Sequence, residues 1–436
     1  MVIELVTGAI AAGGGCVARA ADGRVVFVRH ALPGERVVAA VTAETTSFLR
    51  ADAVEILEPS PDRVDPACPH AGPGRCGGCD WQHVALPAQR RLKSDLVAEQ
   101  LRRLAGVDRR VEIEEVPGGH DPGGHDPGGH DRDGDDPGGR ESGAGDGLGW
   151  RTRVRFAVDA AGRTGFHRHR SHEVERVDRC PLATTAVNGV GVGSAVWRGA
   201  HHVEVTAPPG GGTPVVSAET GRRGLSSPPA LPAGLVVDGR TVQPPGSVHM
   251  TVGDHRFEVG AGVFWQVHPA AASVLTECVL AGLGAVEGER AADLYAGAGL
   301  FTVALARTVG IRGSVVAVER SARACADATR NTTGLPQVHL VRADVTPAVV
   351  ARRLRTPEIV VLDPARQGAG VPVMRALASL DPAPRRMAYV SCDPASFARD
   401  LRIVLEAGWT VRSLRGFDLF PMTEHVELVC ILDRPG

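Results

Sequence analysis

The first part of the chain, residues 1–58, alternates apolar and polar positions over short runs such as RVVFVRH, ERVVAAVTAE and FLRADAVEILE. Alternation with a period of two is typical of half-buried strands, and the DG and PG pairs between the runs are typical of tight turns. Short strands joined in this way predict a small all-β barrel, of the OB-like kind.

The second part, residues 59–251, changes pattern several times. A proline-rich stretch comes first, and the run LPAQRRLKSDLVAEQLRRLAG then has helical periodicity as far as Gly106. Strand alternation returns at Trp150, in WRTRVRFAVDAAGRTGFHRHRSHEVERVDRC, which also carries many cations. We therefore expect a strand-rich central module, whose basic face either follows a phosphate backbone or is an ordinary solvated sheet face.

A low-complexity tract interrupts this module. Residues 117–131 read PGGHDPGGHDPGGHD, and the biased composition continues to about residue 149. Such a tract has too few apolar side chains to order itself, so we expect it to be disordered. Its histidines could bind a metal, but the repeat offers no preorganised ligand geometry, which favours a solvated loop.

The third part, residues 252–436, alternates strand and helix patterns. Runs such as RAADLYAGAGLFTVALA, GSVVAVERSARACADATRN, VHLVRADV, IVVLDPA and RMAYVSCDP follow one another with short connections. This order predicts a doubly wound, Rossmann-like α/β domain. The expected fold class is therefore α/β, with an N-terminal small barrel and a central strand-rich module.

Composition narrows the function classes further. A hydrophobic fraction of 43% and a charged fraction of 22% are ordinary for a folded protein, and the formal net charge of −2 does not indicate a nucleic-acid binder, although a global sum can conceal a basic face. No stretch approaches the roughly 18 apolar residues of a membrane span, and the N-terminus lacks the basic start of a secretory signal. We expect a cytoplasmic monomer without a membrane partner.

Glycines and acids mark the ends of successive strands in the third part. In DLYAGAGLF the chain leaves a strand through Gly297 and Gly299, where the backbone can approach a ligand closely. The next strand ends at Glu319, whose carboxylate can accept hydrogen bonds from ribose hydroxyls, and Asp344 and Asp363 follow two further strands. Each acid alone is commonly a helix cap, but the ordered set favours a nucleoside cofactor.

These motifs, together with LDPAR, VSCDPASFARD and FDLFPMTEHVELV, occur in the order used by a known family. The chain resembles the S-adenosylmethionine-dependent RNA 5-methyluridine methyltransferases over nearly its whole length outside the His-Asp repeat. Its N-terminal barrel looks like a TRAM domain, an RNA-binding module. The resemblance implies an enzyme that transfers a methyl group from S-adenosylmethionine to carbon 5 of a uridine in structured RNA, either rRNA or tRNA.

The resemblance also assigns the reacting groups: Cys392 as the nucleophile and Glu427 as the base. Carbon 5 of uracil is a weak nucleophile, but addition of a thiolate at carbon 6 converts the ring to an enolate. After methyl transfer a base must remove the proton from carbon 5 so that the thiol can leave. Without the resemblance, a lone cysteine at a strand end is more commonly structural.

By the same resemblance, the cofactor site is lined by Gln266, Tyr295, Glu319, Asp344 and Asp363. Asp363 can serve either the cofactor or the target base. Taken without the resemblance, Gln266 is simply a polar residue at the entry to a helix.

The chain departs from the family at three motif positions. DPAR replaces the common Asp-Pro-Pro-Arg, Leu300 follows the glycine motif where some members carry a polar residue, and Asp393 stands after Cys392 where Asn is usual. A carboxylate at Asp393 either raises the pKa of the thiol, if it points inward, or caps the following helix.

Four of the nine cysteines have metal-ligand character: Cys68, Cys76, Cys79 and Cys180. The two-residue gap between Cys76 and Cys79 lets both sulfurs face one ion or cluster. The resemblance implies a four-iron, four-sulfur (4Fe–4S) cluster, although the gap between Cys68 and Cys76 is longer than the family's. Zinc and unligated thiols are the alternatives. The remaining cysteines outside the active site, namely Cys16, Cys278, Cys325 and Cys430, we interpret as core or incidental.

Two other functions compete with the enzyme. One is a non-catalytic RNA-binding protein on a methyltransferase scaffold, against which the presence of both Cys392 and Glu427 argues. The other is a small-molecule methyltransferase, which would not need the N-terminal barrel.

Overall fold

The computed structural model describes residues 1–118, 147–222, 224–354 and 356–434. The predicted disorder of the His-Asp repeat falls mainly on residues 119–146 and so lies outside the described residues. None of the helices in the described ranges is long and apolar enough to cross a membrane.

Five strands form the N-terminal barrel: Val2–Val6 (β1), Cys16–Arg19 (β2), Val25–Arg29 (β3), Arg36–Glu44 (β4) and Phe48–Glu58 (β5). Their order is β1-β4-β5-β3-β2, and alternate side chains such as Val26, Val28 and Val37 fill the interior. Backbone bonds close the sheet, since Gly8 N donates to Val17 O (2.7 Å) and Val17 N to Ala9 O (2.9 Å). The barrel predicted from the alternation is confirmed.

A helix and a short strand follow: Leu86–Gln100 (α1), a π turn at Leu101–Ala105, and Ile113–Glu115 (β6). Helix α1 has a proline in its first turn, where a missing N–H costs nothing, and the π turn ends at Gly106 in a left-handed conformation. The helical run therefore ends at the predicted residue. Strand β6 does not stay in this module but joins the edge of the C-terminal sheet.

The central module is a seven-stranded sheet. Its elements are Arg153–Val158 (β7), Thr164–His167 (β8), Val174–Arg176 (β9), Thr185–Gly189 (α2), a 3₁₀ turn at Val192–Ser194, Ala200–Thr206 (β10), Val215–Thr220 (β11), Gly234–Val237 (β12) and Arg240–Gln243 (β13). The strand order is β13-β12-β11-β10-β7-β8-β9. Val203 and Val205 lie opposite Phe156 and Val154, and these four side chains are buried on the same face. A separate hairpin follows, Ser247–Val252 (β14) with His255–Gly260 (β15).

The C-terminal domain alternates helices and strands as predicted. They are Ala271–Leu283 (α3), Arg290–Leu294 (β16), Leu300–Val309 (α4), Ser314–Glu319 (β17), Ala322–Asn331 (α5), Val338–Arg342 (β18), Pro347–Arg353 (α6), Ile359–Leu362 (β19), Val371–Ala378 (α7), Arg386–Ser391 (β20), Pro394–Glu406 (α8), Thr410–Asp418 (β21) and Glu427–Asp433 (β22). Two apolar layers cover the faces of this sheet, one with α3 and α4 and the other with α7 and α8.

The sheet order is β18-β17-β16-β19-β20-β22-β21-β6. Strands β16 to β20 are parallel, whereas β22 runs antiparallel to both of its neighbours. The order reverses between β16 and β19, so a crevice opens at their carboxyl ends, where doubly wound sheets bind ligands. The α/β fold class is confirmed, and the crevice is where the candidate residues must be sought.

Candidate active site

Cys392 and Glu427 lie at the ends of two adjacent strands. Cys392 directly follows β20, and Glu427 is the first residue of β22. Because β20 and β22 are antiparallel and Ser391 pairs with Leu428, the next step of the register sets Cys392 opposite Glu427. The structure thus brings together the two reacting groups expected from the sequence.

The two groups lie in an acidic, poorly solvated environment. Burial and, to a smaller extent, the carboxylates of Glu427 and Asp363 together raise the pKa of the Cys392 thiol to about 12, whereas Arg366 opposes them. Burial also raises the pKa of Glu427 well above its usual range, with a contribution from Asp363. Neighbouring buried carboxyl groups resist joint ionisation, so this site favours a protonated thiol and at least one protonated acid.

Asp393 is the cap of helix α8. Its Oδ1 accepts a hydrogen bond from Ser396 N at 2.7 Å, and Pro394 occupies the first turn. Its charge also raises the pKa of Cys392, but burial, Glu427 and Asp363 all have larger effects. Of the two roles left open by the sequence, the structure therefore shows helix capping, with a minor influence on the thiol.

The glycine turn after β16 faces Glu319. Tyr295 begins the turn in a left-handed conformation, with φ of 66°. One oxygen of Glu319 accepts from Gly297 N (3.0 Å) and the other from Ser321 N (2.6 Å), so the carboxylate is held across the turn. A Cβ added at Gly297 would meet no atom within 4 Å, which shows that the turn borders open space.

Asp293 lies beneath this turn and was missed by the sequence reasoning. It is fully buried in β16, where Oδ2 accepts a hydrogen bond from Thr302 Oγ1 and Oδ1 has no partner in the described structure. Burial raises the pKa of Asp293 to about 7, and burial together with Asp293 raises that of Asp363 to about 7. The only sequence signal was an acid inside an otherwise apolar strand.

The other two expected cofactor residues come from segments outside the glycine turn, one before α3 and one after β18. Gln266 is half-buried in the segment before α3, and this segment is tied to β7 because Thr152 N and Thr152 Oγ1 both donate to Val267 O (2.9 and 2.8 Å). Asp344 follows β18 and is exposed, with Arg320 at 3.8 Å as its ion-pair partner. Asp344 is thus the least enclosed of the predicted set.

The four candidate metal cysteines come from three segments into one region. Burial raises the pKa of Cys68, Cys76 and Cys79, and the Cys180 thiol adds to the increase at all three. Two sulfurs also accept hydrogen bonds, Cys76 Sγ from Gly78 N (3.4 Å) and Cys79 Sγ from Gln82 Nε2 (3.6 Å). Nevertheless, no three His, Cys, Asp or Glu side chains in the described ranges are arranged to hold a metal ion.

Comparisons with known proteins identify the family. A family model described as tRNA (uracil-5-)-methyltransferase matches residues 250–435, and a TRAM domain model matches residues 5–54. An uncharacterized RNA methyltransferase of Streptomyces coelicolor is 45% identical, over 99% of this chain and 92% of that protein. The 23S rRNA (uracil(1939)-C(5))-methyltransferase RlmD of Halomonas elongata is 33% identical, over 99% of this chain and 89% of that protein.

A solved structure supports the fold. The Pyrococcus abyssi tRNA (uracil-54, C5)-methyltransferase, in complex with S-adenosyl-L-homocysteine, is similar with a TM-score of 0.71 at 20% identity, covering 99% of this chain and 100% of that chain. The family model and these relatives define the class, an S-adenosylmethionine-dependent methyltransferase that acts on RNA. Within that class, the chain belongs to the RNA (uracil-5-)-methyltransferase family with an N-terminal TRAM domain. The family expected from the motifs is confirmed.

The residues present fit the family's cofactor. A nucleoside with a charged amino-acid tail needs room beside the backbone, acceptors for its hydroxyls and acceptors for its amine. Gly297 borders open space, Glu319 is fixed across the turn, and Asp293 Oδ1 is a buried acceptor without a partner.

The electrostatics of Cys392 predict its reactivity. With a pKa of about 12, the thiolate fraction and hence the alkylation rate by iodoacetamide should rise about tenfold per pH unit between pH 7 and 10. Glu427→Gln removes a charge that raises this pKa, so alkylation at a given alkaline pH should be faster.

Peptide mass mapping separates Cys392 from the other cysteines. Asp393→Asn is the matched control, because its charge has a smaller effect and its cap is largely retained by Asn. If alkylation of Cys392 accelerates as much or more in Asp393→Asn than in Glu427→Gln, then Glu427 does not have the larger effect on the pKa of the thiol.

Proposed function

We propose that this protein methylates carbon 5 of a uridine in structured RNA through a covalent adduct between Cys392 and the uracil ring. The observation that carries the proposal is that Cys392 and Glu427 each lie one residue beyond the Ser391–Leu428 pair of β20 and β22, close enough for the Glu427 carboxylate to raise the pKa of the thiol. The two groups adjoin Asp363, which follows β19 beside the cofactor crevice.

In the proposed reaction, the Cys392 thiol gives its proton to the neighbouring Asp363 carboxylate and Sγ adds to carbon 6, which moves an electron pair onto carbon 5 and oxygen 4. The cofactor, when bound, would supply an electrophilic methyl group and leave as a neutral thioether. Carbon 5 takes this methyl group and then bears both a methyl and a hydrogen. Glu427, as a carboxylate, removes that hydrogen as a proton, the enolate re-forms, and elimination of Sγ restores the ring double bond.

Burial of Glu427 suits this second proton transfer. A base whose pKa is raised above its usual range holds an abstracted proton more firmly than an exposed carboxylate would. Asp363 adds to the raised pKa of both Glu427 and Cys392, so protonation of Asp363 lowers the cost of ionising either reacting group.

We assign the cofactor site to Gln266, Tyr295, Glu319, Asp344 and Asp363, with Asp293 beneath them. Glu319 would accept hydrogen bonds from the ribose hydroxyls, and its two backbone donors fix its orientation for that task. Asp293 Oδ1 would accept from a polar group that lies over the glycine turn.

The substrate proposed is rRNA or tRNA. A similar protein is described as acting on 23S rRNA, and a protein of similar fold as acting on tRNA. The target base has to leave its stack, because neither face of carbons 5 and 6 is accessible inside a helix.

Two variants test the mechanism. Cys392→Ala should abolish transfer of a labelled methyl group from S-adenosylmethionine to RNA, and it should form no denaturation-resistant adduct with 5-fluorouridine RNA. Glu427→Gln should still add to RNA but release it slowly, because the proton on carbon 5 is not removed.

Cys278→Ala is the control, since it removes a buried thiol on α3 whose Sγ accepts a hydrogen bond from Arg415 and is not a proposed reacting group. Full methyl transfer by Cys392→Ala would overturn the proposal. Mass spectrometry of 5-methyluridine by RNA class, in cells with and without the gene, then identifies the substrate.

The barrel offers a surface for RNA. Phe27 and Phe48 form an edge-to-face pair with centroids 5.7 Å apart, and the Arg50 guanidinium lies over both rings. Burial and the neighbouring Arg170 lower the pKa of Arg50. Neither arginine has an ion-pair partner among the residues the structure describes. Two neighbouring unpaired cations, one of them over aromatic rings, favour a phosphate backbone with a stacked base.

Arg50→Ala and Arg170→Ala should each weaken RNA binding and reduce the slope of log affinity against log salt by about one, because each removes one phosphate contact. Filter binding over a salt series measures both quantities. Arg36→Ala is the matched control, because Arg36 lies on the same barrel but is neutralised by Glu4 and Glu58. An unchanged salt slope in both variants would contradict an RNA surface here.

We also propose that Cys68, Cys76, Cys79 and Cys180 hold a 4Fe–4S cluster, with zinc as the rival. Four thiols from three segments, with N–H groups directed at two of the sulfurs, match the donor set of such a cluster. The raised pKa values of Cys68, Cys76 and Cys79 mean that metal binding must displace their protons.

An anaerobic preparation should contain about four iron and four sulfide per chain and absorb broadly in the visible range. Cys79→Ser should lose this absorption, whereas Cys278→Ser should keep it. Zinc without sulfide would support the rival zinc site. A preparation that contains neither iron nor zinc would overturn both proposals.

A further inference from the structure

The loop that leads to Glu427, residues 419–426, is held by a buried lysine from outside the sheet. Lys93 on α1 is completely buried, and its Nζ donates to Asp418 Oδ1 (2.6 Å) and to Phe420 O (3.0 Å). Burial lowers the pKa of Lys93, whereas Asp418 raises it. Burying an ammonium ion is costly unless it is paired and hydrogen-bonded. The burial of Lys93 therefore depends on its ion pair with Asp418 and its hydrogen bond to Phe420 O.

A second side chain of α1 holds the middle of the same loop. Gln89 is fully buried; its Oε1 accepts from Met422 N (2.7 Å), and its Nε2 donates to Trp81 O (3.1 Å) and Val84 O (2.8 Å). Met422 has φ of 66°, a left-handed conformation that costs a residue with a side chain about 1 kcal/mol or more. The bonds of Gln89 offset that cost and fix the turn.

These two contacts hold the segment that directly precedes the proposed base. In the pairing of β21 with β22, Phe417 lies opposite Glu427, and Asp418 is the next residue along. The Glu427 carboxylate itself makes no hydrogen bond or ion pair with any residue that the structure describes. Its position therefore depends on the backbone of its strand and loop, rather than on partners of its own.

We propose that Gln89 and Lys93 are positioning residues for Glu427: by anchoring loop 419–426 to α1, they set the base against carbon 5 of the methylated adduct. This inference rests on the proposed function. The C-terminal sheet alone does not supply these contacts, because both side chains come from helix α1, which precedes the seven-stranded sheet in the chain. Proton transfer is sensitive to such placement, since a shift of about 1 Å can lower a rate about a hundredfold.

The test separates positioning from simple loss of stability. If Gln89 positions the base, Gln89→Ala should add to RNA and accept the methyl group normally but eliminate slowly. Under single-turnover conditions with unmodified uridine RNA, a methylated, denaturation-resistant protein–RNA adduct should accumulate, as in Glu427→Gln. We expect kcat to fall about tenfold, and KM for RNA to stay within about twofold of the unmodified enzyme. The tenfold loss is smaller than the loss expected when a general base is removed altogether.

Ser94→Ala is the matched control. Ser94 is buried on the same helix, but its Oγ donates to Val111 O (2.6 Å) and not to the loop. The Ser94→Ala variant should lose one similar hydrogen bond, and the methylated adduct should not accumulate in it. Rates are normalised to the fraction of protein that binds S-adenosylmethionine in calorimetry, which corrects for unfolded chains.

A second pair of variants, both at Lys93, tests the proposal without changing Gln89. Lys93→Met should accumulate adduct, and Lys93→Arg, which keeps a cation for Asp418, should restore at least part of the elimination rate. If Glu427→Gln accumulates adduct but neither Gln89→Ala nor Lys93→Met does, the positioning role is wrong. If Glu427→Gln itself accumulates none, the proposed role of Glu427 as base is wrong.

Discussion

The antiparallel pairing of β22 with β20 is the constraint on which the active site depends. Reversal of this one strand turns its first residue, Glu427, towards the edge where the parallel strands end, so that it meets Cys392. In an all-parallel sheet the first residue of a strand would lie at the opposite edge, far from the crevice. The same edge holds the glycine turn and Glu319, so the proposed cofactor site and the proposed reacting groups share one border of the sheet.

This border concentrates acids in a dry environment. Asp293, Asp363 and Glu427 each have a raised pKa, and burial is the largest cause for all three. Isolated buried carboxylates would be costly, and the protein reduces the cost by leaving them partly protonated. Asp293 and Asp363, each with a pKa of about 7, can take up or release a proton near neutral pH, which ordinary exposed acids do poorly. Burial of these acids thus lowers the stability of the sheet, and the same burial gives groups that are able to move protons.

The sequence predicted the barrel and the α/β domain because a period of two and a strand–helix alternation are local properties. It also predicted the acids at strand ends, since glycine and acid positions mark where strands stop. Asp293 was missed because an acid within an apolar strand looks the same whether it serves a ligand or a packing contact. Gln89 and Lys93 were missed for another reason: their partners lie more than 300 residues away, as for Lys93 and Asp418, and no local pattern encodes that register.

Strand β6 has a consequence for how the chain can be divided. It comes from the N-terminal half and pairs in parallel with β21, from Gly416 opposite Ile113 to Asp418 opposite Glu115. A fragment limited to residues 252–436 would therefore expose the backbone donors and acceptors of β21 as a free sheet edge, a template for self-association. The catalytic sheet is completed by chain that is synthesised long before it, so the segment carrying β6 has to remain available until translation is nearly finished.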